Sequence, residues 1–556
     1  MEQVFVGVDV GTTSARAGLF DARGRLLATA RRPIRIWQEA GDVVEQSSDD
    51  IWNACTAAIR LALHEARIAP AAVKGIGFDA TCSLVVLDEA GLPLTVSGSG
   101  DPQRNVIVWM DHRAIVEADR ITATGDPVLR HVGGVISPEM ETPKLLWLKH
   151  HLPATWRQAR HFLDLADYLT FRATATATRS LCTLTCKWTY LAHERRWSQS
   201  FFERIGLADL LADGCRSIGR DIAEPGTALG GGLSKDSAAA LGLSPGTPVA
   251  ASLIDAHAGG LGSIGGGDAD GAPANVLDRL AYIMGTSACI MATTDTPRFV
   301  PGVWGPYFSA MVPGLWLNEG GQSAAGAGID HLVRSHPAHA EAAAAAKAEG
   351  VELLDFLERR AISRFAMVGE AATLARHLHV LPEFLGNRSP YADPNARAVI
   401  AGLDLDTDLA SLERLFVAGL CGLAYGLADV ADTMRAHGIA CRMMVISGGA
   451  ARSRLVRQIM ADTTGLTVAL PSTSEPVLLG SAMLGAVAAG HFDSLGEAMR
   501  GMSRLGESTG LSMPRMRRFH DAKRQVYGLM RTLDHQSRAA MQALDAALDQ
   551  DMAACC

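Results

Sequence analysis

Apolar blocks and polar turns alternate from the first residues of this chain. Val4–Val8 is a β-branched-rich run, Asp9–Ser14 is polar and carries a glycine, and Ala15–Phe20 is apolar again. Asp21-Ala-Arg-Gly24 makes the next turn before Leu26, so a strand meander is predicted over 4–33. The period then changes. Ile51, Trp52, Cys55, Ile59, Leu61 and Leu63 share one face behind a Ser-Asp cap, which predicts a helix over Asp49–Ala66. Strands are predicted over Val73–Asp79 and Thr81–Asp88, a helix over Thr142–His151 with Pro143 in its first turn, and a buried strand over Pro248–Ile254 ending at Asp255. Gly259–Ala274 is rich in glycine and reads as a linker. Beyond it, Leu280–Thr293 repeats the strand, turn, strand pattern about Gly285-Thr286-Ser287. Val445–Gly449 reads as a strand entering a Gly-Gly turn, Arg452–Asp462 as a helix, and Val477–Ala489 as a helix with enough small residues for close packing. Ala340–Glu349 reads as an exposed helix of good formers, and periodic helices are expected on the outside after about residue 515.

Composition narrows the class. A chain of 556 residues is too long for one core and predicts two large domains. Hydrophobic residues at 48% and charged ones at 20% describe a globular protein rather than a disordered one. The net charge of −8, without a Lys/Arg block, argues against nucleic acid as a partner. Ten cysteines are scattered; Cys182 and Cys186 lie four apart with no second pair, so zinc is not expected. Cys555-Cys556 is not a prenylation box. Reduced thiols, a strand beginning almost at once in place of a signal peptide, and no apolar run near ~18 residues together predict a cytoplasmic protein without a membrane partner.

Five polar clusters carry the candidate chemistry. They are Asp9 with Gly11, Thr12, Thr13, Ser14 and Arg16; Asp255-Ala-His257; Gly285-Thr286-Ser287; Gly448-Gly449; and a scattered group, Thr81-Cys-Ser83, Lys187-Trp188 and Glu319-Gly-Gly-Gln322-Ser323. A glycine and hydroxyl turn between strands forms a nest for phosphate oxygens, and a carboxylate at the strand end can hold Mg²⁺. Phosphoryl transfer needs donors around phosphates, a metal site and one carboxylate to orient the attacking hydroxyl. Each cluster alone also fits something ordinary: a hairpin turn, or, for Asp255, a helix N-cap. Gly260-Leu-Gly262-Ser-Ile-Gly265 matches a dinucleotide fingerprint but does not directly follow a strand, and no G-x-x-x-x-G-K-[ST] is present.

The set Asp9-Val-Gly-Thr-Thr-Ser14, Trp109-Met-Asp-His-Arg113, Pro143-Lys-Leu-Leu-Trp147, Asp255, Gly285-Thr-Ser287, Gly448-Gly449 and Gly480-Ser-Ala-Met-Leu484 resembles the FGGY carbohydrate kinases over about residues 4–490. The resemblance implies an α/β chain with the actin/hexokinase/sugar-kinase fold, two ribonuclease-H-like domains around a central ATP and sugar cleft. It implies a sugar-binding domain over 1–262, an ATP-binding domain over 276–490, and a helical extension over 491–556 packed on the second. ATP and Mg²⁺ are the implied cofactors, with Asp9 and Asp255 at the metal, Asp255 as general base, and Gly11, Thr12, Thr13, Ser14, Arg16, Gly285, Thr286, Ser287, Gly448 and Gly449 around ATP.

Thr81-Cys-Ser-Leu-Val85, Ser137-Pro-Glu-Met-Glu141 and Cys186-Lys-Trp188 resemble the ribulokinase branch assigned to D-ribulose. That likeness implies phosphorylation of a ketopentose at its terminal hydroxyl, with Ala80, Thr81, Lys187, Asp255, Glu319 and Gln322 around the sugar. Other pentuloses or pentitols (L-ribulose, xylulose, ribitol) are the alternative substrates, and a non-catalytic ATP or sugar sensor is the alternative class. A homodimer is compatible with the sequence, which leaves the roles of His257 and Cys82 open.

Overall fold

The computed structural model describes residues 3–39, 43–267 and 274–554. Two compact units interleave along the chain. The first comprises Met1–Ala281, Met291–Glu319 and Pro471–Glu507; the second comprises Tyr282–Ile290, Gly320–Leu470 and Ser508–Cys556.

The first unit is built on strands β1 (Val4–Val10), β2 (Ser14–Asp21), β3 (Leu26–Pro33), β4 (Val73–Ala80) and β5 (Leu253–Ile254), in the order β5-β4-β1-β2-β3. The three strands β1 to β3 form the expected antiparallel meander, while β1 runs parallel to β4 and β4 to β5. Side chains alternate between the two faces. Val4, Val6, Val8 and Val10 join Ile51, Cys55 and Ile59 of helix α1 (Ser48–Ala66) in one core. Ser47 caps α1 by accepting from the Asp50 N–H at 3.3 Å, and Asp49 and Asp50 favour its positive end.

The opposite face carries glycines instead. Added Cβ atoms on Gly7, Gly77 and Gly75 would lie 1.9, 2.0 and 2.0 Å from the carbonyl oxygens of Leu478, Ser481 and Gly485. These oxygens belong to the helix Pro476–Ala488, which therefore lies backbone to backbone on the sheet. The same helix meets α3 (Asp255–Ile264), the other labelled helix here being α2 (Leu181–Lys187). At that crossing Gly262 approaches Pro476 O and Gly480 approaches Ala258 O, with 1.9 and 2.0 Å for the added Cβ atoms.

Several sequence expectations change. Gly259–Ile264, read as linker, is helical in α3, because its glycines serve helix contacts rather than flexibility; 268–273 lie outside the described residues. The dinucleotide-like glycines lie in or at the end of that helix and form no phosphate loop. Only Leu253–Ile254 of Pro248–Ile254 is strand, with Val249 and Ala250 making single bridges to Ile76 and Ala228. The strand expected from Thr81 begins at Leu84, since Thr81 and Ser83 turn their hydroxyls toward each other at 3.3 Å. Cys555 and Cys556 lie outside the described residues.

A second sheet carries β6 (Arg279–Met284), β7 (Ala288–Thr294), β8 (Trp316–Gln322), β9 (Met443–Ser447) and β10 (Thr467–Pro471) in the order β8-β7-β6-β9-β10. In the second unit the helix Leu409–Ala436 is long and apolar enough to cross a membrane, contrary to the expectation that no run is. Its 18-residue apolar window is 89% buried, as for a core helix. The chain after Pro514 is one helix to Ala554 rather than several. It is anchored in the second unit by Lys523, whose Nζ donates to Ala375 O at 2.5 Å and Leu378 O at 2.9 Å.

Candidate active site

Three parallel strands of the first sheet end in a carboxylate. Asp9 is the penultimate residue of β1, Asp79 that of β4, and Asp255 directly follows β5. The parallel register sets Asp9 opposite Asp79 and Asp79 opposite Leu253, so the acids gather at the C-terminal ends of the strands, where open α/β sheets bind ligands. Arg16 Nε donates to Asp9 Oδ2 at 2.8 Å, and another guanidinium nitrogen donates to Glu475 Oε2 at 2.9 Å. Ser481 donates to Asp79. Burial and then the charge of Asp9 hold the Asp79 carboxyl well above the usual carboxylate range.

Asp255 is the first residue of α3 rather than its N-cap, a position taken by Ile254. Its Oδ1 accepts from the Ala256 N–H at 2.7 Å, and its side chain is half-buried. Burial and then Asp9 push its pKa up to about 6, against the Ala256 N–H, His257 and Lys187. The three carboxylates thus feel one another's charge and offer oxygen donors only, the set a hard divalent cation takes.

The turn Gly11–Ser14 closes with Gly11 N–H on Ser14 O at 3.1 Å. Trp109 Nε1 donates to Thr12 Oγ1 at 2.9 Å, Gln46 Nε2 donates to Thr12 O at 2.6 Å, and Arg31 Nε donates to Ser14 Oγ at 2.8 Å. Thr13 is exposed. The rest of the Trp109–Arg113 motif is structural: Arg113 pairs with Asp111 and Glu45, both at 2.7 Å, and Asp111 accepts from Val44 N–H at 2.6 Å.

In the second unit Gly285-Thr286-Ser287 is the β6–β7 turn, closed by Gly285 N–H on Ser287 O at 2.9 Å. The N–H groups of Ala325 and Gly326 donate to Thr286 O and Gly285 O, both at 3.0 Å, while Gly285 and Thr286 stay exposed. Gly448 follows the neighbouring strand β9 with φ +97°, and its backbone packs so close to Met284 O that an added Cβ would lie 2.1 Å away. The two glycine turns therefore share one strand-end edge, and Gly449 has open space around it.

Lys187 ends α2, buried, with its Nζ 4.3 Å from the centre of the Trp304 ring. Ala80 ends β4, and the Thr81 N–H donates to Val10 O at 2.9 Å. Glu319 Oε2 accepts from His257 Nε2 at 3.2 Å. Gln322 belongs to the second unit, and its amide is taken by Tyr282 OH at 2.7 Å and Leu423 O at 2.9 Å.

Sequence reasoning left the role of His257 open and missed its partners. His257, fully buried, sets its Nδ1 3.1 Å from Cys182 Sγ, and one ligand atom each from Cys182, Cys186 and His257 fall within 4.8 Å of one another. Although burial opposes it, the neighbouring Cys182 and then Glu319 raise the His257 pKa to about 10. The Cys182 thiol is lowered to about 5, since hydrogen bonding from Cys186 and the His257 charge outweigh burial. The spacing test on Cys182 and Cys186 looked for a second local pair, whereas the third group arrives from another helix. Glu141 is also buried, and neither carboxylate oxygen has a hydrogen-bond partner in the structure. Burial raises its pKa to about 7, against Lys144 and Lys187. Asp79 could have been found from the repeated pattern of an apolar strand ending in Asp.

Comparison with known proteins gives these positions a context. Residues 4–262 match the N-terminal domain and residues 280–489 the C-terminal domain of the FGGY family of carbohydrate kinases. A Homo sapiens FGGY carbohydrate kinase domain-containing protein is 46% identical over 544 residues, 96% of this chain and 97% of that protein. A Saccharomyces cerevisiae D-ribulokinase is 37% identical over 520 residues, covering 88% of this chain and 72% of its own. Among solved structures, the xylulose kinase from Rhodospirillum rubrum superposes with a TM-score of 0.76 at 22% identity, over 96% of this chain and 99% of that one, which shows a shared fold. The chain belongs to the FGGY family of carbohydrate kinases.

Proposed function

We propose that this kinase transfers the γ-phosphoryl group of ATP to the terminal hydroxyl of a ketopentose, converting D-ribulose to D-ribulose 5-phosphate. The observation that carries the choice of sugar is the 37% identity to a D-ribulokinase over most of the chain; bacterial proteins named ribulokinase follow at 27–30%. The chemistry rests on Asp255. A carboxylate with a pKa of about 6 is ionised at neutral pH yet basic enough to orient the hydroxyl and accept its proton as transfer proceeds. Lys187 and Glu319 are buried charged groups suited to fix the sugar's oxygens by charge-assisted hydrogen bonds, with Ala80 and Thr81 lining the same sugar. The Gly11–Ser14 turn with Arg16, the Gly285–Ser287 turn and Gly448-Gly449 offer N–H groups and hydroxyls to ATP. Mg²⁺ fits the oxygen-only donors of Asp9 and Asp255, whose like charges it would balance; when bound it supplies neutralisation of phosphate charge.

The domain reading proposed with it assigns sugar to 1–262, ATP to 276–490 and the following helical extension to support of the second domain. The test of substrate is ADP release measured across D-ribulose, L-ribulose, D- and L-xylulose and ribitol. D-ribulose is expected to give the highest kcat/KM. A higher value for any other sugar overturns the assignment, and no turnover with any of them favours the sensor reading.

A further inference from the structure

We infer that Cys182, Cys186 and His257 form a binding site for a thiophilic d¹⁰ cation, Zn²⁺ being the physiological class, distinct from the carboxylate site for the nucleotide's metal. Cys182 and Cys186 are separated by one helical turn on α2 and so face the same way. His257 comes from α3 and presents Nδ1 to the sulfur of Cys182 at 3.1 Å. All three ligand atoms fall within 4.8 Å of one another. A tetrahedral site with Zn–S of ~2.3 Å and Zn–N of ~2.0 Å needs separations of about 3.5–3.8 Å, so shifts on the order of 1 Å, including a slight widening of the Cys182–His257 contact, seat the ion.

The surroundings are also those of a metal site. His257 Nε2 meets Glu319 Oε2 at 3.2 Å, so Nδ1 is the nitrogen that faces the thiols and that a cation takes on displacing its proton. A histidine ligand whose other nitrogen donates to a carboxylate is the common second layer of protein zinc sites. Helix α2 is held firmly: Ser180 accepts from the Cys182 N–H at 3.2 Å and donates to Ser252 O at 2.6 Å, and Thr183 donates to Asp167 at 2.7 Å. Three protein ligands leave a fourth position for water or an oxygen of a bound molecule, the open arrangement rather than a closed structural one. Binding displaces to solvent the protons held by His257 and Cys186 and joins α2, which carries Lys187, to α3, which carries Asp255. On the function proposed above, occupancy therefore restrains the sugar-binding side chains and inhibits turnover.

The test uses the full-length protein, reduced and stripped with a chelator. Cd²⁺ is titrated while the thiolate-to-metal charge-transfer absorbance is followed, and Zn²⁺ is then competed against it. One equivalent is expected at this site, with at least ~100-fold weaker binding in Cys182→Ser and in Cys186→Ser. Cys555→Ser/Cys556→Ser is expected to leave it unchanged. Co²⁺ on the unmutated protein gives an independent reading, since a thiolate-bearing tetrahedral site produces intense visible bands. Absence of those bands, or a Cd²⁺ signal insensitive to Cys182→Ser, overturns the site. Inhibition is read separately in excess Mg²⁺, as loss of ADP release on adding one equivalent of Zn²⁺ and recovery on adding a zinc-selective chelator that leaves Mg²⁺ in place. Stoichiometric binding without inhibition keeps the site and refutes its coupling to turnover; failure of the sugar panel leaves the spectroscopic result standing.

Discussion

At the scale of single residues, the proposed function concentrates its chemistry on Asp255. Asp255→Asn keeps size and hydrogen bonding but removes the base, so ATP and sugar binding should persist while turnover falls at least ~10³-fold. Near-normal turnover in that variant would refute the assignment. The raised pKa also fixes the sign of the pH dependence. With the folded value at about 6, activity should fall as pH drops through 6 and the carboxylate takes up its proton. Stability moves the other way. The folded state holds this proton more tightly than the unfolded chain, so Asp255 favours folding below about pH 4, and that contribution is lost as pH rises through about 6. Thermal melts should show Asp255→Asn more stable than the parent at pH 7.5 and close to it at pH 4. Asp9, Asp255 and the glycine turns were legible in sequence because each interrupts a local apolar pattern. His257 and Glu141 were not: their meaning lies in Cys182, Glu319, Lys144 and Lys187, which other elements deliver.

At the scale of elements, two glycines separate structure from function. Gly480→Ala would drive a Cβ to 2.0 Å from Ala258 O, backbone that cannot step aside, and should cost about 3 kcal/mol or more in urea unfolding. Gly449→Ala meets open space, so its stability should change within about 0.5 kcal/mol while the KM for ATP rises. If Gly449→Ala melts early instead, its role is conformational rather than in binding. The linker expected over Gly259–Ala274 failed for the same reason that Gly480 matters. A run of glycines reports close approach as readily as flexibility, and only the helix lying against α3 decides between them. The meander, α1 and the β6–β7 hairpin were read correctly because their hydrophobic period and turns are local.

At the scale of the whole molecule, the two units are not consecutive stretches of chain, and no periodicity announces that. The helix Pro476–Ala488 looks in sequence like any apolar helix; that it belongs with strands from the first eighty residues follows from Gly7, Gly75 and Gly77, whose missing side chains match its backbone. The oxygen-only donors of Asp9 and Asp255 carry a whole-enzyme expectation as well. Chelation should abolish turnover, and Mg²⁺ should restore it, with Ca²⁺ a poor substitute because it prefers larger, more flexible coordination.

The glycine-lined face of the first sheet also has a consequence for biosynthesis. Its covering helix is translated more than 460 residues after Gly7, so at ribosomal rates of ~5–20 residues per second the face waits roughly 25–90 s for its partner. During that interval the glycine face of β1 and β4 presents bare backbone to chaperones. A nascent chain stalled at Leu470 should be cleaved readily by protease within the first unit, and one extended past Glu507 and clear of the exit tunnel should resist. Equal resistance of both would mean that the early strands find a temporary cover of their own.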